Sequence, residues 1–181
     1  MYYKTKTAVL AALIILFLIL TAAEYTRQYK FEGASRCGLC HSSADIGNQY
    51  DTWKSSGHSN AYLTLFSEKA LDYAKDAGIA APSKNDQCLK CHLTGHGAPF
   101  RQMGPMYRKE DGVSCEGCHG SGGGYAYFSI MTDRELAVKK GLAKNPENSC
   151  VECHSGKCPF DIDTPFKFET SMEKIRHPRP K

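Results

Sequence analysis

The sequence predicts a mostly α-helical, loop-rich fold built from short helices, and three observations favour this class. A cysteine pair followed by His occurs four times along the 181 residues. The apolar fraction of 41% is low for a protein with a large core of its own. No segment alternates apolar and polar residues as a half-buried strand does. The net charge of +4 is too small to indicate a nucleic-acid-binding protein.

Residues 1–23 predict a secretory signal peptide. Lys4 and Lys6 give a basic start, and Ala8–Ala23 is an apolar run whose one polar residue is Thr21. The alternative is a retained N-terminal membrane anchor, because a span needs about 20 apolar residues and this run is only somewhat shorter. In either case residues 24–181 are predicted to form one exported domain, periplasmic or extracellular, that meets a membrane only if residues 1–23 are retained.

Eight of the nine cysteines lie in copies of the pattern Cys-x-x-Cys-His. This pattern is the attachment signature of c-type haem, because two thiols three positions apart can bond the two vinyl groups of one porphyrin. The adjacent His then supplies the proximal ligand to the iron. Disulfides, two zinc sites with four Cys each, and thioredoxin-like motifs are weaker interpretations, since none requires a His after every second Cys. The four copies are Cys37-Gly-Leu-Cys40-His41, Cys88-Leu-Lys-Cys91-His92, Cys115-Glu-Gly-Cys118-His119 and Cys150-Val-Glu-Cys153-His154.

The sequence therefore predicts four covalently attached haem c groups, each with its iron, and a small multihaem cytochrome c fold organised around them. Between the motifs it predicts short elements and loops. The Thr-x-x-Glu spacing of a capping box predicts the starts of the last two helices. In order, the predicted elements are a partly helical segment over Tyr50–Phe66, an amphipathic helix over Ser67–Ala77, a glycine loop over Gly120–Gly124, a helix from Thr132 through Leu142, and a last helix from Thr170 to His177.

The seven His residues limit how four haem irons can be ligated. Four haems with two His each would need eight, so at least one iron is five-coordinate or takes a different ligand. Exchange of His between identical subunits cannot change this, because each copy brings the same seven. The proximal ligands are His41, His92, His119 and His154, which leaves His58, His96 and His177 as candidates for the sixth position.

Other side chains are candidates for the remaining axial position. His96 follows His92 by four residues, so it cannot easily reach the far side of its own haem and would serve another. Met103 and Met106 are possible ligands, although Met more often packs against a ring. Cys158 is the odd cysteine, and the sequence leaves open a free thiol, a link to another chain or an iron ligand.

Three segments carry a family resemblance: the first motif followed by Trp53-x-Ser-x-Gly-His58-x-x-Ala61, the block Gly112-Val-Ser-Cys115-Glu-x-Cys118-His119-Gly120, and the tail with Thr164-Pro165-Phe166 and His177. Together they resemble the cytochrome c-554 family of tetrahaem cytochromes over roughly residues 34–178. The resemblance implies a mostly helical fold, haems in close stacked pairs, and electron transfer, in the founding case from hydroxylamine oxidoreductase. It also implies that His58 ligates the third haem and His177 the fourth, and that the second haem has an open distal side.

One departure from the family leaves two alternatives for the first haem. The resemblance implies a further ligand His after the third motif, and this chain has none between His119 and His154. Either His96 takes that place on the first haem, or the first haem is the open one.

The function predicted from these residues is single-electron transfer between redox partner proteins, such as another multihaem cytochrome or an oxidoreductase. An enzyme is the second hypothesis, in which the haem without a second His binds or reduces a small nitrogen-oxide ligand. Further alternatives are a homo-oligomer or extracellular cytochrome filament, and a membrane-anchored, quinol-linked cytochrome. No acid–base pair, triad or phosphate-binding loop in the sequence indicates another catalytic chemistry, and no nucleic-acid partner is expected.

Overall fold

In the computed structural model, the described residues are 12–17, 29–154 and 166–178. Residues 12–17 are helical. Across the described residues, no helix has both the length and the apolar character that a membrane crossing requires. Most of the predicted signal segment, the Cys158 position, and Thr164 and Pro165 lie outside these ranges.

The described part of the chain is mostly helical and contains no strand, which confirms the predicted fold class. Its one β-type pairing is an isolated bridge between Phe31 and Met103. Short 3₁₀ turns connect many of the helices. The α-helices that follow residue 29 are Ala34–His41, Gln49–Lys54, Glu68–Asp76, Asp86–His92, Cys115–His119, Phe128–Met131, Arg134–Lys139, Cys150–His154 and Phe168–Ile175.

Each of the four Cys-x-x-Cys-His motifs ends one of these helices at its His. We call them the first-motif helix (Ala34–His41), the second-motif helix (Asp86–His92), the third-motif helix (Cys115–His119) and the fourth-motif helix (Cys150–His154). Residues three apart are neighbours on one face of a helix, so both thiols of a motif face the same side. The helical conformation therefore explains the spacing of the motif, because it puts both thiols on the side where one porphyrin would be attached.

The predicted amphipathic helix over Ser67–Ala77 is present as Glu68–Asp76. Ser67 is its N-cap, and the Ser67 hydroxyl accepts a hydrogen bond from the Ala70 amide. The predicted partly helical segment begins with helix Gln49–Lys54 and continues as two 3₁₀ turns. These predictions are correct to within a residue or two at most ends.

The two predicted capping boxes are wrong. Asp133, not Thr132, caps helix Arg134–Lys139, because its carboxylate accepts from the Leu136 amide at 2.9 Å. Thr132 is unavailable, since it ends the preceding helix and its hydroxyl donates to the Phe128 carbonyl. The helix also stops at Lys139, short of the predicted Leu142.

The last helix departs from its predicted start in the opposite direction. It begins at Phe168, two residues before Thr170, and its N-cap is Lys167, which makes no side-chain capping bond. The Thr170 hydroxyl lies inside the first turn and donates to the Lys167 carbonyl.

The buried apolar set of the described residues is thin. Leu65 is the largest side chain that is fully buried there, and Trp53 is fixed by a hydrogen bond from its indole N–H to the Val113 carbonyl at 2.9 Å. Several large apolar side chains are exposed instead, including Phe100 at 91% and Phe128 at 80%. A porphyrin ring is the kind of apolar surface against which such side chains can pack.

Candidate haem-binding site

The four motifs are in contact with one another in two pairs. The thiol of Cys37 in the first motif lies within hydrogen-bonding contact of Cys115 in the third. Cys91 in the second motif makes the same kind of contact with Cys153 in the fourth. The third-motif helix also packs on the turn Pro146–Ser149 that leads into the fourth motif. The spatial order of the motifs is therefore one, three, four, two, which differs from their order in the sequence.

Two pairs of His rings face each other across a gap that suits a metal ion. The ring centres of His58 and His154 are 6.0 Å apart, and those of His119 and His177 are 5.8 Å apart. Two imidazoles that ligate one metal from opposite sides put their centres about 6 Å apart, because each metal–nitrogen bond is about 2 Å and each nitrogen lies about 1 Å from its ring centre. The separations of the ring centres therefore match those expected with an iron between the rings.

This pairing differs from the ligand assignment implied by the family resemblance, which stays a prediction. That assignment gave His58 to the third haem and His177 to the fourth. In the structure His58 faces His154 of the fourth motif, and His177 faces His119 of the third. The exchange follows from packing, since the tail that carries His177 runs beside the first and third motifs: the Pro178 carbonyl accepts from Gln49 at 3.0 Å.

The proximal His of the first motif is oriented through its other ring nitrogen. The Nδ1–H of His41 donates to the Gln49 side-chain carbonyl at 3.1 Å. Gln49 is buried, and its amide nitrogen donates to the carbonyls of Ile46 and Pro178. A proton held at Nδ1 leaves Nε2 as the free lone pair, which is the form that binds a metal.

The second-motif His is held in the same tautomer by backbone. Nδ1 of His92 donates to the Ala61 carbonyl at 2.6 Å, and the Thr64 hydroxyl lies 3.3 Å from the same nitrogen. His92 therefore also presents Nε2 as the lone pair for a metal.

His96 is not brought opposite another imidazole. Its Nε2 lies 3.4 Å from a carboxylate oxygen of Asp86, at the start of the second-motif helix. All seven His belong to the described residues, and in that part of the chain neither His41 nor His92 makes a ring contact with a second His. The prediction that His96 ligates a haem stays a prediction.

Electrostatics favour the neutral imidazoles that iron ligation requires. Burial lowers the pKa of His119 to about 4, with smaller effects of the same sign from His177 and His41. Burial and the neighbouring His154 lower the pKa of His58, and burial lowers that of His154. A His that is uncharged at neutral pH has its nitrogen lone pair available to a metal.

Two further observations bear on whether these residues fit haem. Phe166 stacks on the His154 ring, with centres 4.5 Å apart and planes 17° apart, which fixes the orientation of that ligand. An open cavity of about 570 Å³ adjoins His177 and is lined by Phe168, Glu173 and Arg176 among others. Arg176 can pair with a carboxylate such as a porphyrin propionate, and the acidic Glu169 and Glu173 also line this cavity.

Among the described residues, no group of three or more His, Cys, Asp or Glu side chains is arranged to hold a metal ion by itself. A haem iron takes at most two ligands from the protein, because the porphyrin supplies the other four. The residues that are present therefore fit haem: four thiol pairs for covalent attachment, and paired imidazoles at the distance that an iron between them needs.

Comparison with known proteins gives a matching result. The family model described as cytochrome c554 and c-prime matches residues 36–120, which contain the first three motifs. This segment is therefore similar to the cytochrome c554 family. Cytochromes c hold haem covalently, which agrees with the attachment motifs in this segment. No curated protein sequence matches the chain significantly.

A solved structure shares the fold. The chain matches the reduced state of cytochrome c554 from Nitrosomonas europaea with a TM-score of 0.52 and 24% sequence identity. The match covers 81% of this chain and 78% of that one. At this identity the likeness establishes the fold alone.

Sequence reasoning missed the residues that support the ligands. Gln49 follows His41 by eight residues, a spacing that signals nothing by itself. Glu116 lies inside the third motif, at a position that the haem-attachment pattern leaves free. Its role becomes visible only in its contacts, since it is 3% exposed although it carries a carboxylate. A charged residue buried to that extent is uncommon unless it is paired.

Proposed function

We propose that the protein is an exported tetrahaem c-type cytochrome that passes single electrons between redox partner proteins through closely packed haems. The observation that carries this proposal is the pair of facing His rings, at 6.0 and 5.8 Å, each formed by one motif His and one His from elsewhere in the chain. Haem supplies the redox chemistry when it is bound. The chain's own residues attach it, ligate it and set its potential.

The contacts between motifs support transfer from haem to haem. Attachment cysteines of the first and third motifs touch, as do those of the second and fourth. Haems attached at touching thiols lie close to one another, and an electron can then pass along the series without a large conformational change. The partners we propose are redox proteins, either another multihaem cytochrome or an oxidoreductase, in a periplasmic or extracellular compartment.

A potentiometric titration tests the carrier function. We expect the visible spectrum of the purified holoprotein to change from ferric to ferrous over four one-electron steps, with no loss of haem. Reoxidation by a second multihaem cytochrome is expected to be fast and reversible. A protein whose haems cannot be reduced and reoxidised repeatedly would not be an electron carrier.

A second function is favoured by the position of His96. Because its Nε2 pairs with Asp86, neither the first nor the second motif has an opposing imidazole in the described residues. We propose that a haem of this kind binds a small nitrogen-oxide ligand and can reduce it. Carbon monoxide titration of the fully reduced protein tests this: binding at one or two haems in four would support it, and no binding would exclude it.

A further inference from the structure

Glu116 joins the third motif to the beginning of the first-motif helix. Its Oε1 accepts the Glu32 amide at 2.7 Å, and its Oε2 accepts the Gly33 amide at 2.8 Å. Oε1 also accepts the Gly122 amide at 2.7 Å, from the glycine loop after the third motif. One carboxylate thus receives three backbone N–H groups from two separate segments.

The contact with Glu116 involves a position, Gly33, that only glycine can occupy easily. Gly33 is the N-cap of the first-motif helix and has φ +90°, a conformation that side chains rarely adopt. A Cβ added at Gly33 would collide with the Met106 carbonyl. Gly33 has no side chain with which to cap the helix, so the Glu116 carboxylate approaches that end, and Asp111 adds a longer contact to the Ala34 amide at 3.3 Å.

The bonding pattern suits an anion. Both carboxylate oxygens accept, all three distances are those of charge-assisted hydrogen bonds, and Glu116 has no salt-bridge partner among the described residues. Burial raises the pKa of Glu116, while the bonds from Gly122, Glu32 and Gly33 oppose this shift. The three N–H donors therefore favour the charged carboxylate, which is buried and whose hydrogen-bond partners among the described residues are all backbone N–H groups.

This charge lies beside the attachment points of two haems. Glu116 follows Cys115 directly in the third motif, and Cys115 touches Cys37 of the first motif. A buried anion stabilises the ferric state, which carries one more positive charge than the ferrous state. It acts through a medium of low dielectric constant, where solvent and salt screen it little.

We propose that Glu116 sets the redox potentials of the haem pair on the first and third motifs, lowering both through its buried charge. This inference rests on the proposed function for the presence of those two haems. It assigns Glu116 as a tuning and positioning residue, since the carboxylate acts on the irons through the field and through the helix that it holds.

The test compares Glu116→Gln with Glu110→Gln in the full-length holoprotein at pH 8. Both changes remove one negative charge, but Glu110 is exposed and lies on the turn that precedes the third motif. We expect Glu116→Gln to favour reduction of two haems about tenfold, which is about 59 mV for a one-electron couple. Glu110→Gln is expected to change the reduction potentials of these two haems far less. Glu116→Asp, which keeps the charge, is expected to shift the potentials less than half as much as Glu116→Gln. Equal shifts in the two Gln variants would overturn the proposal.

A second measurement covers the case in which Glu116→Gln does not assemble. Infrared difference spectra of the wild-type protein, reduced minus oxidised, are recorded with and without ¹³C at the glutamate carboxylates. We expect a label-sensitive carboxylate band that shifts as the affected pair is reduced and that does not depend on salt concentration. If no such band appears, Glu116 does not sense these haems.

The intact mass of the wild-type protein distinguishes failure of the Glu116 proposal from failure of the proposed tetrahaem function. Fewer than four haems on the wild-type chain would contradict the tetrahaem proposal. The role of Glu116 would still be testable provided that the first and third motifs carry theirs.

Discussion

Replacing Gln49 with Ala should destabilise the protein by more than any exposed Gln change. Gln49 is 7% exposed and makes three side-chain hydrogen bonds: it accepts from His41 Nδ1 at 3.1 Å and donates to the carbonyls of Ile46 at 2.6 Å and Pro178 at 3.0 Å. At about 1 kcal/mol for each bond, the expected loss of unfolding free energy is about 3 kcal/mol. For a chain of this length that corresponds to a fall in Tm of about 6–12 °C.

The assay is thermal unfolding of the fully haem-loaded protein, followed by circular dichroism. Gln87→Ala is the matched control, because Gln87 is exposed and none of the hydrogen bonds described for it involves its side chain. The control should melt within about 2 °C of wild type, as surface changes usually do. A Gln49→Ala variant that also melted within that margin would refute the view that Gln49 ties His41 to the C-terminal segment.

Two further predictions concern the His177 pairing and Tyr107. His177→Ala should add one carbon-monoxide-binding haem to the reduced protein, because His177 lies opposite His119 of the third motif. The same change should add none when Cys115 and Cys118, which attach the haem of the third motif, are also replaced by Ala. A gain in both backgrounds would contradict the pairing of His177 with His119. Burial raises the pKa of Tyr107 from 10.0 to about 12, and its hydroxyl donates to the Thr94 carbonyl at 2.7 Å. Since the folded state holds this proton more tightly, the stabilisation is complete below pH 10 and is lost as the pH rises towards 12. Urea denaturation across that window should show wild type losing stability relative to Tyr107→Phe, and parallel curves would contradict it.

The local features of the fold were predictable because they depend on residues close together in sequence. The helix Glu68–Asp76 follows from its amphipathic pattern and its Ser67 cap. The N-cap of helix Arg134–Lys139 was predicted one residue too early, at Thr132 instead of Asp133. Thr132 and Asp133 are both good N-cap residues, but Thr132 is already the C-cap of helix Phe128–Met131, so Asp133 caps the next helix.

The long-range features were not predictable in the same way. The count of seven His against eight axial places is a property of the sequence, but which His meets which motif depends on how distant segments pack. His58 and His154 are far apart in the chain, and so are His119 and His177. Glu116 could be singled out only once its three amide partners, from residues 32, 33 and 122, were brought around it.

The number of haems on the chain decides whether the protein is a tetrahaem cytochrome. Intact-protein mass spectrometry of the purified protein, followed by peptide mapping, gives both the number and the attachment sites. We predict four covalent haems, one on each of the motifs that end at His41, His92, His119 and His154. A chain that carries fewer than four haems when fully matured, or that holds a Cys pair as a disulfide in place of haem, would contradict it.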